Sequence, residues 1–245
     1  MRPASMRACA RRMRPVSMRQ RPRRAVAAAL ALAIAHASDP LSYHGGSVLA
    51  MAGKKSVALV LDKRLGQGNA LVGDEACRVL ECGPRAVLAL RGLQGDVQTL
   101  LEDVDAKLRL RRLEEGPSAA SEPKAVSALV SVMLYGGRLS GGAPGYAVEP
   151  VICGLGADGA PYLCAQDGLG ARMVSDTFVV AGTAASSLYG ACEATFEADL
   201  EGDALLDAAL AAMAAGLDRD CLSGREVVVH VITRDGTTSM ERTLE

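Results

Sequence analysis

Runs of apolar residues bounded by turn-forming residues predict a series of strands along the chain. The first two lie in 45–62, where a short apolar strand, a Gly-Lys-Lys turn and a second, wholly apolar strand lead to Asp62. The last two flank the turn Arg234-Asp235-Gly236 and predict a closing hairpin. Between them, 63–73 is rich in glycine and predicts a loop. Strands are predicted at 85–90, 147–153, 161–166, 172–174, 178–182, 226–233 and 237–244.

Helical periodicity occupies the intervals between these groups of strands. In 96–116 the apolar residues recur at spacings of three and four, which predicts an amphipathic helix. A second helix is predicted to begin at Pro123, and the glycine-rich stretch 136–145 after it is expected to be flexible. The remaining predicted helices are 184–193 and 204–217, the second of them with Asp203 as its N-cap.

The order of the predicted elements is strands, two helices, strands, two helices and strands. Antiparallel hairpins with helices grouped in pairs favour an α+β fold built in layers over a doubly wound α/β fold. No internal repeat and no linker divides 39–245, so we expect a single domain there. With 49% hydrophobic and 22% charged residues, the chain has the composition of a globular protein.

The charge is distributed unevenly along the chain. Residues 1–38 contain nine arginines and no acidic residue, whereas in 39–245 the remaining 18 basic residues face 28 acidic ones, a net charge of −10. An acidic body argues against nucleic acid as the main partner. The basic leader, with its apolar run at 25–35, has the layout of a signal or transit peptide, but that run is too short to span a membrane. We interpret 1–38 as an extension that is disordered, removed or a gene-model artefact.

The cysteines and histidines give no sign of a metal site or of a disulfide framework. The seven cysteines form no C-x-x-C pair, and only three histidines are present, so we expect neither a metal nor a cofactor. The glycine pattern at 154–159 matches a dinucleotide motif on paper. Because a strand and not a helix follows it, we interpret it as a hairpin turn.

Several motifs resemble those of one protein family. The segment 45–62 resembles the opening of a proteasome beta subunit, and the matches in the body are typical of the type-3 group of these subunits. The resemblance covers about 42–244 and implies the N-terminal-nucleophile hydrolase fold, a four-layer αββα sandwich. The matching segments are 90–100, 149–155, 176–183, 189–193 and 217–224.

The resemblance also implies where a catalytic site would lie. In active relatives a threonine hydroxyl attacks the peptide carbonyl, while a lysine oriented by an aspartate lowers the local pKa. Counting back from Asp62, the family's aspartate, the nucleophile's position falls on Gly46, and the lysine position falls on Arg78. Asp220 and Ser223 take the supporting positions. Glycine has no nucleophile and arginine stays protonated, so the resemblance implies a degenerate site without a catalytic residue.

The implied function is that of a non-catalytic, structural beta subunit of the 20S proteasome core, in the cytoplasm and nucleus. Such a subunit completes the beta ring and helps shape the substrate channel of a neighbour, for ubiquitin- and ATP-dependent protein degradation. The implied partners are the type-2 and type-4 beta subunits, the opposite beta ring, the alpha ring and unfolded polypeptide, with no nucleic acid and no membrane. Two alternatives stay open: an active hydrolase that uses Ser47 after processing, and a diverged paralogue targeted to an organelle by its leader.

Overall fold

Two five-stranded sheets and four helices make up most of the structure, a computed structural model that describes residues 46–74, 78–116, 122–139 and 145–244. All of these residues lie within one compact unit, and the predicted extension 1–38 lies outside them. The strands are β1 Ser47–Ala52, β2 Val57–Asp62, β3 Leu65–Gln67, β4 Ala70–Gly73, β5 Val79–Gly83, β6 Ala86–Gly92, β7 Val148–Leu155, β8 Pro161–Gln166, β9 Arg172–Ser175, β10 Phe178–Gly182, β11 Glu226–Thr233 and β12 Gly236–Thr243. The helices are α1 Gln94–Glu115, α2 Pro123–Leu139, α3 Ala185–Thr195 and α4 Gly202–Leu217.

The strands of each large sheet pair antiparallel throughout. The first sheet has the order β10-β1-β2-β11-β12, and the second has the order β5-β6-β7-β8-β9. The first sheet therefore joins the beginning and the end of the described chain, because β2 pairs directly with β11.

Three hydrophobic cores show how the layers are stacked. One lies between the two sheets, one between the first sheet and helices α3 and α4, and one between the second sheet and helices α1 and α2. Strands β1 and β2 are buried along their whole length because both of their faces are covered. Their unbroken apolar sequence follows from this, since neither face meets water. The predicted α+β fold, an αββα sandwich, is confirmed.

Most predicted elements are present, but the prediction for 63–73 is wrong. This segment forms the short hairpin β3–β4, in which Gln67 pairs with Ala70. Gly68 and Asn69 are the two residues of its turn, and Gly68 has a φ of +55°. The glycines thus mark a tight hairpin and not an irregular loop.

Other parts of the prediction also differ from the structure. Strand β5, which is half exposed at the edge of the second sheet, was not predicted, because it lacks clean alternation. Residues 136–139 belong to helix α2 and not to a flexible stretch, while 140–144 lie outside the described residues. Helix α4 begins at Gly202, and its N-cap residue Glu201 makes no capping bond through its side chain. Asp203 lies instead in the first turn, where its negative charge favours the helix dipole.

The remaining turn predictions agree with the structure. The glycine pattern at 154–159 lies at the turn between β7 and β8, where the N–H of Gly156 donates to the carbonyl of Ala160. None of the described helices is both long and apolar enough to cross a membrane. Within the described ranges, no three His, Cys, Asp or Glu side chains come together in a way that could hold a metal ion.

Candidate functional site

The predicted site residues meet where the first sheet joins the corner between α4 and β11. Antiparallel pairing of β1 with β2 places the start of β1 beside Asp62 at the end of β2. The corner after α4 brings Asp220 and Ser223 to the same place, and Gly224 donates its N–H to Asp62. The side chain of Arg78 reaches Gly46 from the second sheet side, just before β5. All five predicted residues therefore lie in one connected cluster.

The carboxylate of Asp62 is buried and fully engaged. Its Oδ1 accepts the N–H of Ser47 at 3.0 Å, and its Oδ2 accepts the N–H of Gly224 at 2.9 Å. Oδ1 also forms an ion pair with Nη2 of Arg91 at 2.7 Å, with both side chains almost completely buried. A buried carboxylate needs such compensation, because burial without partners is costly. Asp62 thus ties together the start of β1, the α4–β11 corner and strand β6.

Arg91, which the sequence analysis did not single out, is the ion-pair partner of Asp62. It lies near the end of β6, and its Nη2 also contacts the carbonyl oxygens of Ser47 and Asp62. Burial lowers the pKa of Arg91, while the negative charge of Asp62 opposes that shift. One signal in the sequence could have found it: Arg91 is the single charged residue in the otherwise apolar strand Ala86–Gly92. A lone charge at such a position needs a buried partner.

Arg78 makes a different set of contacts from those that the lysine analogy implies. Its Nε donates to Oε1 of Gln94 at 3.2 Å, and its Nη2 donates to the carbonyl oxygen of Arg64 at 2.9 Å. Nη1 is buried and has no hydrogen-bond acceptor among the described residues. Burial and the neighbouring Arg91 guanidinium lower the pKa of Arg78 to about 9, so it stays protonated at neutral pH.

The interior of the site carries more positive than negative charge. Arg64, Arg78 and Arg91 are all buried, and among the described residues Asp62 is the buried carboxylate beside them. Arg64 is satisfied by carbonyl groups, since its Nη1 donates to Leu222 at 2.7 Å. An excess of buried cations has a desolvation cost that backbone carbonyls only partly offset. The arrangement therefore holds the corner after α4 in place, because Arg64 donates to a carbonyl of that corner and Asp62 accepts the N–H of Gly224.

A directed chain of hydrogen bonds links Ser47 to Asp220. Ser223 donates its hydroxyl proton to Oδ2 of Asp220 at 2.7 Å, and the hydroxyl of Thr183 donates to the same oxygen. Because a serine hydroxyl has one proton, the 2.9 Å contact between Ser47 and Ser223 has Ser47 as its donor. Oγ of Ser47 then accepts the N–H of Ala184 at 3.0 Å. Every hydroxyl in this chain has a fixed partner.

This chain of bonds bears on Ser47 as an alternative nucleophile. Ser47 is completely buried in β1, and its hydroxyl is engaged on both sides. A nucleophile must reach a substrate carbonyl and lie next to a base that takes its proton. The hydroxyl of Ser47 donates directly to Ser223 and reaches the carboxylate of Asp220 only through it. The geometry gives no support to the serine mechanism.

Comparison with known proteins decides which family this arrangement belongs to. A family model described as "Proteasome subunit" matches residues 42–232, which is most of the chain. The chain belongs to the proteasome subunit family. The matched range includes all five predicted site residues.

Individual relatives place the chain more narrowly. It is 38% identical to "Proteasome subunit beta type-3-A" of Arabidopsis thaliana over 78% of this chain and 91% of the relative. It is 38% identical to "Probable proteasome subunit beta type-3" of Schizosaccharomyces pombe, over 80% and 93% of the two chains. For "Proteasome subunit beta type-3" of Drosophila melanogaster the identity is 37%, over 84% and 97%. The resemblance to type-3 beta subunits is confirmed.

Proposed function

We propose that this chain is a non-catalytic, structural type-3 beta subunit of the 20S proteasome core. One observation carries the proposal: Gly46 stands where the family resemblance puts the nucleophilic threonine, and the guanidinium of Arg78 lies against it. A hydrolase of this type needs a hydroxyl or thiol at that position. Glycine has neither.

The second departure, at Arg78, supports the same conclusion. In the active arrangement a lysine is oriented by the aspartate, whereas here the aspartate binds Arg91 and Arg78 binds Gln94 and a backbone carbonyl. A guanidinium remains charged at neutral pH and has a planar geometry that an ammonium lacks. The site residues Asp62, Arg78, Asp220 and Ser223 then act as structural groups that join β1, β2 and the α4–β11 corner.

The proposed role is to complete the beta ring and to form part of the chamber wall. The subunit domain is 39–245, with type-2 and type-4 beta subunits as neighbours and contacts to the alpha ring and the opposite beta ring. It contributes to the substrate channel of the type-2 neighbour, in the cytoplasm and nucleus. Exposed apolar side chains on helix α2 support a role in assembly, since such a surface on a monomer commonly marks a contact site. These side chains are Val132, Tyr135 and Leu139.

Purification of the tagged chain from its own cells tests the proposal. We expect alpha and beta proteasome subunits to co-purify in equal amounts with it, and the purified chain alone to show no cleavage of fluorogenic peptides. Recovery of the tagged chain free of other proteasome subunits would contradict the structural role. Peptide cleavage by the chain alone, abolished by an electrophilic inhibitor and by Ser47→Ala, would contradict the non-catalytic role.

A further inference from the structure

The space beside Gly46 is already occupied. A Cβ atom at residue 46 would lie 2.8 Å from Nη1 of Arg78, 2.8 Å from Oδ1 of Asp62 and 3.4 Å from Nη1 of Arg91. The first two distances are shorter than the ordinary separation of non-bonded heavy atoms, which is about 3.5–4.0 Å for carbon. Gly46 also has a φ of +105°, a conformation that residues with a side chain rarely adopt. A side chain at residue 46 would therefore strain the backbone and would also overlap with its neighbours.

The two close neighbours differ in how firmly they are held. Asp62 is fixed by two backbone N–H groups and by the ion pair with Arg91. The atom of Arg78 that meets the Cβ position is Nη1, the end of a long side chain and an atom without a hydrogen-bond acceptor in the described part of the chain. Any side chain at residue 46 must therefore displace the end of Arg78, which is itself buried among closely packed neighbours.

We propose that Gly46 and Arg78 are an interdependent pair: the Arg78 guanidinium fills the space of the missing nucleophile side chain, and glycine at residue 46 is what permits it. This rests on the proposed function in one respect, the assignment of residue 46 as the nucleophile's position. The steric dependence rests on the distances alone. It follows that a side chain at residue 46 costs less when residue 78 is smaller, while its contact with Oδ1 of Asp62 is the same in either case.

A double-mutant cycle in the full-length chain tests the dependence. The variants are Gly46→Ala, Arg78→Met and the two combined, and the measurement is the equilibrium constant of urea unfolding. Methionine keeps the aliphatic part of the arginine but ends before Nη1. We expect Gly46→Ala to raise the unfolding constant in both backgrounds. The fold-change should be about ten times smaller with methionine at residue 78 than with Arg78, since residues in direct contact couple by amounts of this order. The cost of the positive φ is the same in both backgrounds and cancels.

Gly236→Ala is the matched control. Gly236 has a φ of +140°, and a Cβ there would meet nothing within 4 Å, so alanine adds backbone strain without a steric contact. Its effect should be the same with Arg78 and with methionine at residue 78. Additive effects of Gly46→Ala and Arg78→Met would overturn the proposal, because residue 46 would then not contact residue 78.

Gly46→Ala alone could prevent folding, and the cycle still gives an answer. Recovery of a cooperatively folded double variant, when the single variant is unfolded, supports the pair. If Gly46→Ala is unfolded in both backgrounds, the cycle is measured in trimethylamine N-oxide, which favours the folded state of all four proteins. An equal cost of Gly46→Ala in the two backgrounds then overturns the proposal. Peptidase activity of the unchanged chain is measured separately, since activity would contradict the proposed function and leave the steric coupling as it was measured.

Discussion

The carboxylate of Asp62 joins three parts of the molecule that lie far apart in sequence. Its oxygens hold the backbone at the start of β1, the backbone of Gly224 after α4, and the guanidinium of Arg91 on β6. In an active relative the resemblance gives this residue a role in orienting a lysine. In this chain Asp62 is buried and paired with Arg91, and its contacts hold three segments together.

We expect Asp62→Asn to destabilise the chain strongly. The substitution removes the negative charge and leaves the buried Arg91 guanidinium without its ion-pair partner, a loss of about 3–5 kcal/mol in the free energy of unfolding. Urea unfolding measures it. Glu241→Gln is the control, because it breaks the exposed pair between Glu241 and Lys63 and should change stability far less. Equal effects of the two substitutions would show that the Asp62–Arg91 pair contributes no more to the free energy of unfolding than an exposed ion pair.

At the scale of elements, apolar runs with clear ends were the easiest to predict. Strands β8, β10 and β11 have the predicted bounds, because each is an apolar run ended by turn residues or a polar residue. Strands β3 to β5 were missed because they are short or half exposed, and their sequences carry no clear period. Their formation depends on neighbouring strands that a local pattern does not contain.

The motif positions indicated residues that lie close together, namely Gly46, Asp62, Arg78, Asp220 and Ser223. They did not indicate which of the charged side chains form ion pairs. The choice of Arg91 over Arg78 as the partner of Asp62 depends on where the side chains of β6 point relative to β2, and so on how the two sheets are stacked. No spacing within one segment of the chain contains that information.

The closing hairpin β11–β12 carries a pH-dependent contribution to stability. His230 lies opposite Ser239, with Nδ1 and Oγ 2.8 Å apart, and burial lowers its pKa below the ordinary value of 6.5, although Glu81 opposes the shift. As the pH falls below 6.5, the unfolded chain binds a proton that the native chain does not bind until its lower pKa is reached. The contribution of neutral His230 to stability is therefore complete above pH 6.5 and is lost as the pH falls through the pKa of His230 in the folded state.

We expect His230→Gln to reduce this loss, since glutamine can bond to Ser239 and does not titrate. The melting temperature of the unchanged chain should fall more steeply between about pH 7 and pH 5 than that of the variant. Thermal unfolding at several pH values measures both. Carboxylates that titrate in the same range are common to the two proteins, so parallel curves would mean that His230 contributes nothing to the pH dependence.

For the whole molecule, assembly is the property that the proposed function makes measurable. Helix α2 is buried against the second sheet along one face, and Val132 is 70% exposed on the other. We expect Val132→Glu to lower the fraction of tagged chain that co-purifies with proteasome subunits several-fold, because a charge is costly in an apolar interface. The melting temperature of the chain itself should stay within a few degrees, since exposed substitutions change stability little.

Leu113→Glu is the control, because it introduces the same charge at an exposed apolar residue on a different helix, near the end of α1. If both variants assemble as well as the unchanged chain, the α2 surface is not an interface. If both fail equally, the effect does not belong to α2 alone. If Val132→Glu lowers co-purification and Leu113→Glu does not, the contact lies on α2.

The pairing of β2 with β11 has a consequence for synthesis on the ribosome. Strand β2 is apolar on both faces, yet β11, which covers its open edge, is translated after β3 to β10 and helices α1 to α4. Until β11 is made, the nascent chain therefore presents an unpaired strand edge that other chains can bind. A chaperone that shields this edge until the C-terminal hairpin is released would protect the newborn subunit from aggregation.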